Sequence, residues 1–215
     1  MKLYTGPVSM FGAKVLIAAA EKGITLDVEN VPYQPRTFSY LGHPEVDRIN
    51  PRRQVPVLID QGLEIFDSTL ICEYLEDIAP EPPLWPAEPR SRAAARLVEL
   101  RADEIWFPKL RQLGQFVRDP GSPEAAEARV QAMDAYREMD VSLGARTWMA
   151  GSFGYADIAA YAAFLTAYFF GLRPVGLPRL AAWVERMEAR PSVRAVRDGI
   201  IGYLAEQRIR LLEPA

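Results

Sequence analysis

A chain of 215 residues, 49% hydrophobic and 25% charged, has the composition of an ordinary globular protein and enough length for two small cores. Its formal net charge of −3, from 25 basic and 28 acidic residues, gives no bias toward nucleic acid or a membrane surface. One cysteine, Cys72, excludes an internal disulfide or thiolate metal cluster, and one histidine, His43, leaves almost no material for multi-histidine metal sites or histidine-based triads.

The start, MKLYTGPVSM, lacks the basic-then-apolar pattern of an export signal, and no apolar run approaches membrane-spanning length. The expected location is the cytoplasm. KLYT reads as a short strand ended by Gly6-Pro7, and FGAKVLIAAAEKG as a helix stopped by Gly23. ITLDVENV alternates as a half-buried strand does. Residues 36–50, broken by Gly42 and Pro44, read as loop with a short helix. PVLID and LEIF flank Gln61-Gly62 as a hairpin, and STLICEYLEDI follows as a helix with Leu70, Ile71, Tyr74, Leu75 and Ile78 on one face. The order β-α-β-(α)-β-β-α argues for a small mixed sheet.

PEPPLWPAEPR places five prolines in residues 80–90, a stiff linker after which the pattern changes. The remainder is helical. Leu97 and Leu100 open an apolar stripe that Trp106, Leu110, Leu113 and Val117 continue, with Pro108 bending the helix. YADIAAYAAFLTAYFFG is apolar almost all round, as for the central helix of a bundle. The expected domains are 1–80, a linker at 81–91, and an all-helical 92–215.

Five segments in this order, KLYTGPVSMFGAKV, NPRRQVPVL, DSTLICEYLED, the proline-rich linker and GSFGYADIAAYA, resemble the glutathione S-transferase superfamily over essentially the whole chain. Within the superfamily the chain resembles bacterial members with a serine-type active site. STLICEYLEDIAPE with WPAEPRSRA is also similar to β-etherase-like members. The resemblance implies an α/β thioredoxin-like N-terminal domain, an all-α helical-bundle C-terminal domain, glutathione as cosubstrate, no metal, and a homodimer. It gives a reason for a proline inside QVPVLI. A cis Pro56 would turn the backbone of Val55 toward an extended tripeptide, which Gln54, Val55 and Pro56 would line.

The same resemblance gives Ser68 the α-carboxylate of the γ-glutamyl group and Asp67 its ammonium. A helix N-terminus favours an anion there, although either residue also serves as a plain cap. Ser9, between the first strand and the first helix, is the candidate to stabilise the thiolate, with Tyr4, Thr5 or a backbone N–H as rivals. A thiol of pKa near 8.5 needs about 2.7 kcal/mol of help to drop by two units. Arg36, His43, Arg52, Arg53 and Tyr40 compete for the glycyl carboxylate. A small, electrophilic, mostly apolar second substrate would sit against Phe11, Trp106 and Leu110. Transfer to that acceptor is the leading function. β-Aryl ether cleavage, isomerisation or dehalogenation on the same site are alternatives, and a non-catalytic adaptor on the same fold is an alternative of another class.

Overall fold

The computed structural model describes residues 1–34, 39–117 and 119–209, and divides into two compact units: Met1–Leu84 with the residues from Pro191, and Trp85–Arg190.

In the first unit, β1 (Lys2–Thr5), β2 (Asp27–Asn30), β5 (Val57–Asp60) and β6 (Leu63–Phe66) form a sheet in the order β2-β1-β5-β6. β1 runs parallel to β2 and antiparallel to β5, and β5 turns back on β6. Two-residue strands β3 (Tyr33–Gln34) and β4 (Ser39–Tyr40) pair separately, the second of them inside the 36–50 stretch that reads as irregular in the sequence. The β5–β6 turn has positive φ at both Gln61 and Gly62, the geometry that lets strand twist continue through a two-residue loop.

Alternation along β1 sorts the two faces. Leu3 and Thr5 are buried on the side of α1 (Met10–Glu21) and α3 (Ser68–Ile78). Tyr4 joins Val31, Val46 and Val57 in a core closed by α2 (Pro44–Ile49). On α3, Ile71, Cys72 and Leu75 are buried, but Leu70 and Ile78 are exposed. The buried face is rotated because Glu76 turns inward to meet Lys22, the C-cap residue of α1.

The last helix, α9 (Pro191–Glu206), packs on α1 in the first unit, with Val193, Ile200 and Leu204 buried. The expected boundary at 92 had placed it with the helical domain. The reason lies in α1: its buried residues run from Met10 to Ala19 over more than one stripe, so a second cover besides α3 is needed. The division between units falls after Leu84, inside the expected linker, and α4 (Pro89–Arg101) opens before that linker was expected to end.

The second unit is helical: α4, α5 (Phe107–Arg111), α6 (Pro123–Leu143), α7 (Tyr155–Phe169) and α8 (Pro178–Glu188). Leu97 and Leu100 are half exposed rather than part of the buried stripe, which runs through Ala95, Glu99, Ala102 and Trp106. Pro108 lacks the N–H an α-helix would use at that point. A π turn over Ala102–Trp106 precedes it and a 3-10 turn over Gln112–Phe116 follows, so the helix is broken, not merely bent. α7 is buried along nearly its whole length. Asp157 in its first turn accepts hydrogen bonds from Met149 N (2.8 Å), Gly154 N (3.2 Å) and Trp183 Nε1 (2.8 Å).

Candidate functional site

Ser9 is held at a tight corner. Its N–H donates to Gly6 O (3.0 Å), its backbone is extended, and its Oγ accepts from Gly12 N (3.1 Å), making it the N-cap of α1. Gly12 is there for space. A Cβ built on it would lie 1.8 Å from Thr5 Oγ1. Thr5 is 1% exposed and its hydroxyl has no hydrogen-bond partner among the described residues. A hydroxyl has one donor and two acceptor positions. Capping spends one acceptor of Ser9, so its O–H can still be aimed at an anion beside the helix N-terminus. Tyr4, the aromatic rival, is 5% exposed in the core with its ring 5.0 Å from that of His43.

The backbone that precedes β5 is shaped by Asn50, which the sequence reading missed. It is 3% exposed; its Nδ2 donates to Gln54 O (2.7 Å) and its Oδ1 accepts from Arg52 N (2.9 Å). Arg53, at φ 53, donates its N–H to Asn50 O (2.8 Å). The signal was present in the Asn-Pro pair, a turn initiator. Out of this turn comes a cis Val55–Pro56 bond. β5 starts at Val57, so Val55 stands outside the ladder, and its N–H and carbonyl meet no backbone partner among the described residues. Gln54 is exposed, Val55 is half-buried and Pro56 is buried.

At the start of α3, Asp67 accepts from Thr69 N (2.9 Å) and Leu70 N (3.3 Å) as the N-cap. Its φ of 79 with ψ 128 lies where side chains other than glycine are strained, by about 1–3 kcal/mol. A capping aspartate has no need of that backbone, since caps ordinarily sit in the β region. Ser68 follows at the first helical position and is 2% exposed.

Of the candidates for a terminal carboxylate, Arg36 lies outside the described residues. Arg53 is paired with Asp47 (2.8 Å), which also accepts from Tyr40 OH (2.9 Å). Burial, then the bond to Asp47, pushes the Tyr40 phenol up to about 12. His43 Nε2 lies 3.0 Å from Glu29. Arg52 is exposed, with no ion pair among the described residues. Phe11 is half-buried beneath the Lys14 ammonium, 5.4 Å from the ring centroid. Trp106 and Leu110, expected to touch the acceptor, are instead core of the helical unit at 1% and 0% exposure. The indole of Trp106 donates to Glu138 (3.1 Å). The apolar spacing that suggested them is that of a packed stripe.

Two family models match the chain: Glutathione S-transferase, N-terminal domain over residues 3–83, and Glutathione S-transferase, C-terminal domain over residues 97–191. The chain belongs to the glutathione S-transferase family. Its first unit is the thioredoxin-like domain of that family and the second is helical. Among glutathione S-transferases of known structure, the theta class protein of Xanthomonas axonopodis pv. citri, solved with glutathione bound, has a TM-score of 0.75 and 26% identity, covering 90% of this chain and 95% of that one. The β-etherase LigF from Sphingobium sp. strain SYK-6 has a TM-score of 0.73 and 25% identity, covering 92% and 98%. In sequence, the stringent starvation protein A homolog of Coxiella burnetii is 32% identical over 151 residues, 69% of this chain and 66% of the relative. The alignment with its Haemophilus ducreyi counterpart spans 61% of that relative. The probable glutathione S-transferase parC of Nicotiana tabacum is 29% identical over 196 residues, 86% of this chain and 83% of the relative.

Among the described residues, no helix is long and apolar enough to cross a membrane, and no group of three His, Cys, Asp or Glu side chains is placed to hold a metal ion.

Proposed function

We propose that this chain is a glutathione transferase in which glutathione lies along Gln54, Val55 and Pro56. The observation that carries the reading is the strained backbone of Asp67 beside the unladdered backbone of Val55. Strain of this size at an exposed cap is retained where it serves a ligand. Val55 offers an N–H and a carbonyl to an extended peptide, as a strand edge does. Asp67 meets the γ-glutamyl ammonium, and the first turn of α3 at Ser68 meets its carboxylate. Arg52 answers the glycyl carboxylate.

The sulfur then lies toward Ser9. The thiol proton leaves to solvent, and the Ser9 O–H together with the N-terminus of α1 favours the thiolate. The sulfur forms a bond to the electrophilic carbon of the acceptor as the leaving group departs with its bonding pair. Ether cleavage and dehalogenation would use the same thiolate. Isothermal titration with glutathione tests the reading, together with the ultraviolet absorbance of bound thiolate at neutral pH. Heat of binding and thiolate absorbance are expected, and a titration without heat at millimolar glutathione overturns it.

A second reading has its own observation, the 32% identity to a stringent starvation protein A homolog. On that reading the chain is a non-catalytic adaptor on the same fold. Retention on glutathione–agarose supports the transferase; no retention, with a stable protein partner in pull-down, supports the adaptor.

A further inference from the structure

The turn that leads to Val55 has a second support besides Asn50, and it comes from a side chain of α2. Asp47 Oδ2 accepts from Arg53 Nη2 (2.8 Å), and Asp47 Oδ1 accepts from Tyr40 OH (2.9 Å). The bond from Arg53, and to a lesser degree that from Tyr40, holds the Asp47 carboxyl below its ordinary range, so the pair is charged at neutral pH.

Both bonds lead toward Val55. Arg53 stands two residues before it, in the left-handed region at φ 53. Gln61 has a positive φ as well, in the β5–β6 turn, so the backbone alone does not single Arg53 out. Its side chain does, by reaching back six residues to α2. Tyr40 comes to Val55 by another route: both pack against the small core of Tyr4, Val31, Val46 and Val57. Val46, fully buried in that core, is the neighbour of Asp47 in α2 and fixes where the carboxylate stands. Arg48 of the same helix pairs instead with Glu45 and Glu64, neither of which lies in the turn.

We infer that Asp47 is a positioning residue of the glutathione site: it holds Arg53 and Tyr40, and through them the turn from which Val55 meets the tripeptide. The identity of the ligand rests on the transferase reading; the hold of Asp47 on the turn does not. Asp47 makes no contact with the ligand in this role. It acts before the ligand arrives, by removing backbone freedom that binding would otherwise have to remove. Arg53, engaged by Asp47, leaves the glycyl carboxylate to Arg52.

The test titrates glutathione calorimetrically into the full chain and its variants. Without ligand, nuclear magnetic resonance follows exchange of the amide protons of residues 52 and 53, both held by Asn50. Asp47→Asn keeps an oxygen for Tyr40 and gives up the charge that holds Arg53; Arg53→Met keeps the stem and gives up the guanidinium. Each should weaken glutathione binding about fivefold or more, and the double variant no further than the weaker-binding single, because each residue acts through the other. Amide exchange should speed up in both. The urea midpoint should hardly move, since Arg53 is 68% exposed and a pair so open adds little to stability. At saturating glutathione, thiolate absorbance should match wild type, because the Ser9 corner is untouched. Arg48→Met, which breaks other ion pairs of α2, should bind as wild type does.

Wild-type affinity in Asp47→Asn, additive losses in the double variant, or an equal loss in Arg48→Met overturns the inference. Tighter binding in Asp47→Asn overturns it too, for then Arg53, once released, meets the glycyl carboxylate itself. A wild type that gives no heat with glutathione takes down the transferase reading instead. Faster exchange in Asp47→Asn then leaves Asp47 as the holder of the turn for another extended ligand, and unchanged exchange removes that as well.

Discussion

Gly12→Ala places a methyl group into the tightest spot of the first unit, and its cost separates two accounts of that residue. In an unobstructed helix interior the exchange stabilises by about 0.5–1 kcal/mol. Here the new Cβ would lie 1.8 Å from Thr5 Oγ1 and 3.1 Å from Thr5 Cβ. Ordinary C···O contacts begin near 3.3 Å, so the two must part by about 1.5 Å. Thr5 is buried in β1 and stiff at χ1. One turn puts its methyl where the hydroxyl was. The other, which aims Hβ at Gly12, moves both hydroxyl and methyl inside a buried site and still leaves its Cβ 3.1 Å from the new group. For an overlap this deep the overpacking cost belongs in the upper part of the usual range, about 2–3 kcal/mol, and after the helix gain is subtracted a net loss of about 1–2.5 kcal/mol is expected. Urea unfolding followed by far-ultraviolet circular dichroism measures it. In a Thr5→Ala background the 1.8 Å contact is gone, and the same glycine change should cost less than half as much, a coupling of about 1 kcal/mol or more. If Gly12→Ala is as stable as wild type, the close approach of β1 to α1 is wrong, and with it the geometry assigned to Ser9.

Lys22 Nζ is 0% exposed, 2.5 Å from Glu76 Oε2, and donates to the carbonyls of Ala79 (2.6 Å) and Pro82 (3.0 Å). Lys22→Met leaves Glu76 buried without its cation and should cost about 3–5 kcal/mol in urea unfolding, with Lys22→Met/Glu76→Leu recovering part; an unchanged midpoint refutes this. Asp67→Gly relieves the positive φ and keeps most of the cap, so stability should hold or rise, while glutathione affinity falls about 10- to 100-fold with the loss of a charged acceptor. Unaltered calorimetric affinity counts against the role given to Asp67. Burial pushes the Asp157 carboxyl up to about 6, against three N–H donors that pull it down. A raised carboxyl favours folding below its unfolded value near 3.9, and that contribution is lost as pH rises through about 6, at most about 3 kcal/mol. Wild type should therefore lose stability relative to Asp157→Asn between pH 4 and 7, and a pH-independent difference rejects the raised value.

Local chemistry made much of the fold legible. Gly6-Pro7, Gly23 and Gln61-Gly62 punctuate the chain where strands and helices end, and β1, β5, β6 and α3 lie where periodicity put them. What escaped depends on partners distant in sequence. Glu76 is buried and Ile78 is exposed because Lys22, at the end of α1, needs a carboxylate. α9 reads like any amphipathic helix, and nothing in its own residues says that α1, rather than its neighbours in sequence, supplies its cover. In the site, a proline in QVPVLI and a serine before a helix were visible as residue types. Asn50 was visible only as half of an Asn-Pro turn signal, because its work is a hydrogen-bond pattern across the turn that spacing does not encode. Trp106 and Leu110 were misplaced for a related reason: an aromatic and a leucine at helical spacing describe core and pocket equally well until burial is known.

The cap at Ser9 complicates the obvious experiment on the site. Ser9→Ala removes the hydroxyl proposed to act on sulfur and also the acceptor for Gly12 N, so it loosens the corner by about 1 kcal/mol. A fall in turnover would then have two explanations. Ser9→Gly separates them, since glycine at an N-cap costs only a few tenths of a kcal/mol against serine and yet carries no hydroxyl. If the O–H stabilises the thiolate, both variants lose turnover together and the pKa of bound glutathione rises in both, while only alanine lowers the unfolding midpoint. If the corner alone matters, Ser9→Gly keeps the activity that Ser9→Ala loses. Full turnover in both would move the thiolate to the N–H groups of the first turn of α1, the donors that remain when the hydroxyl is gone.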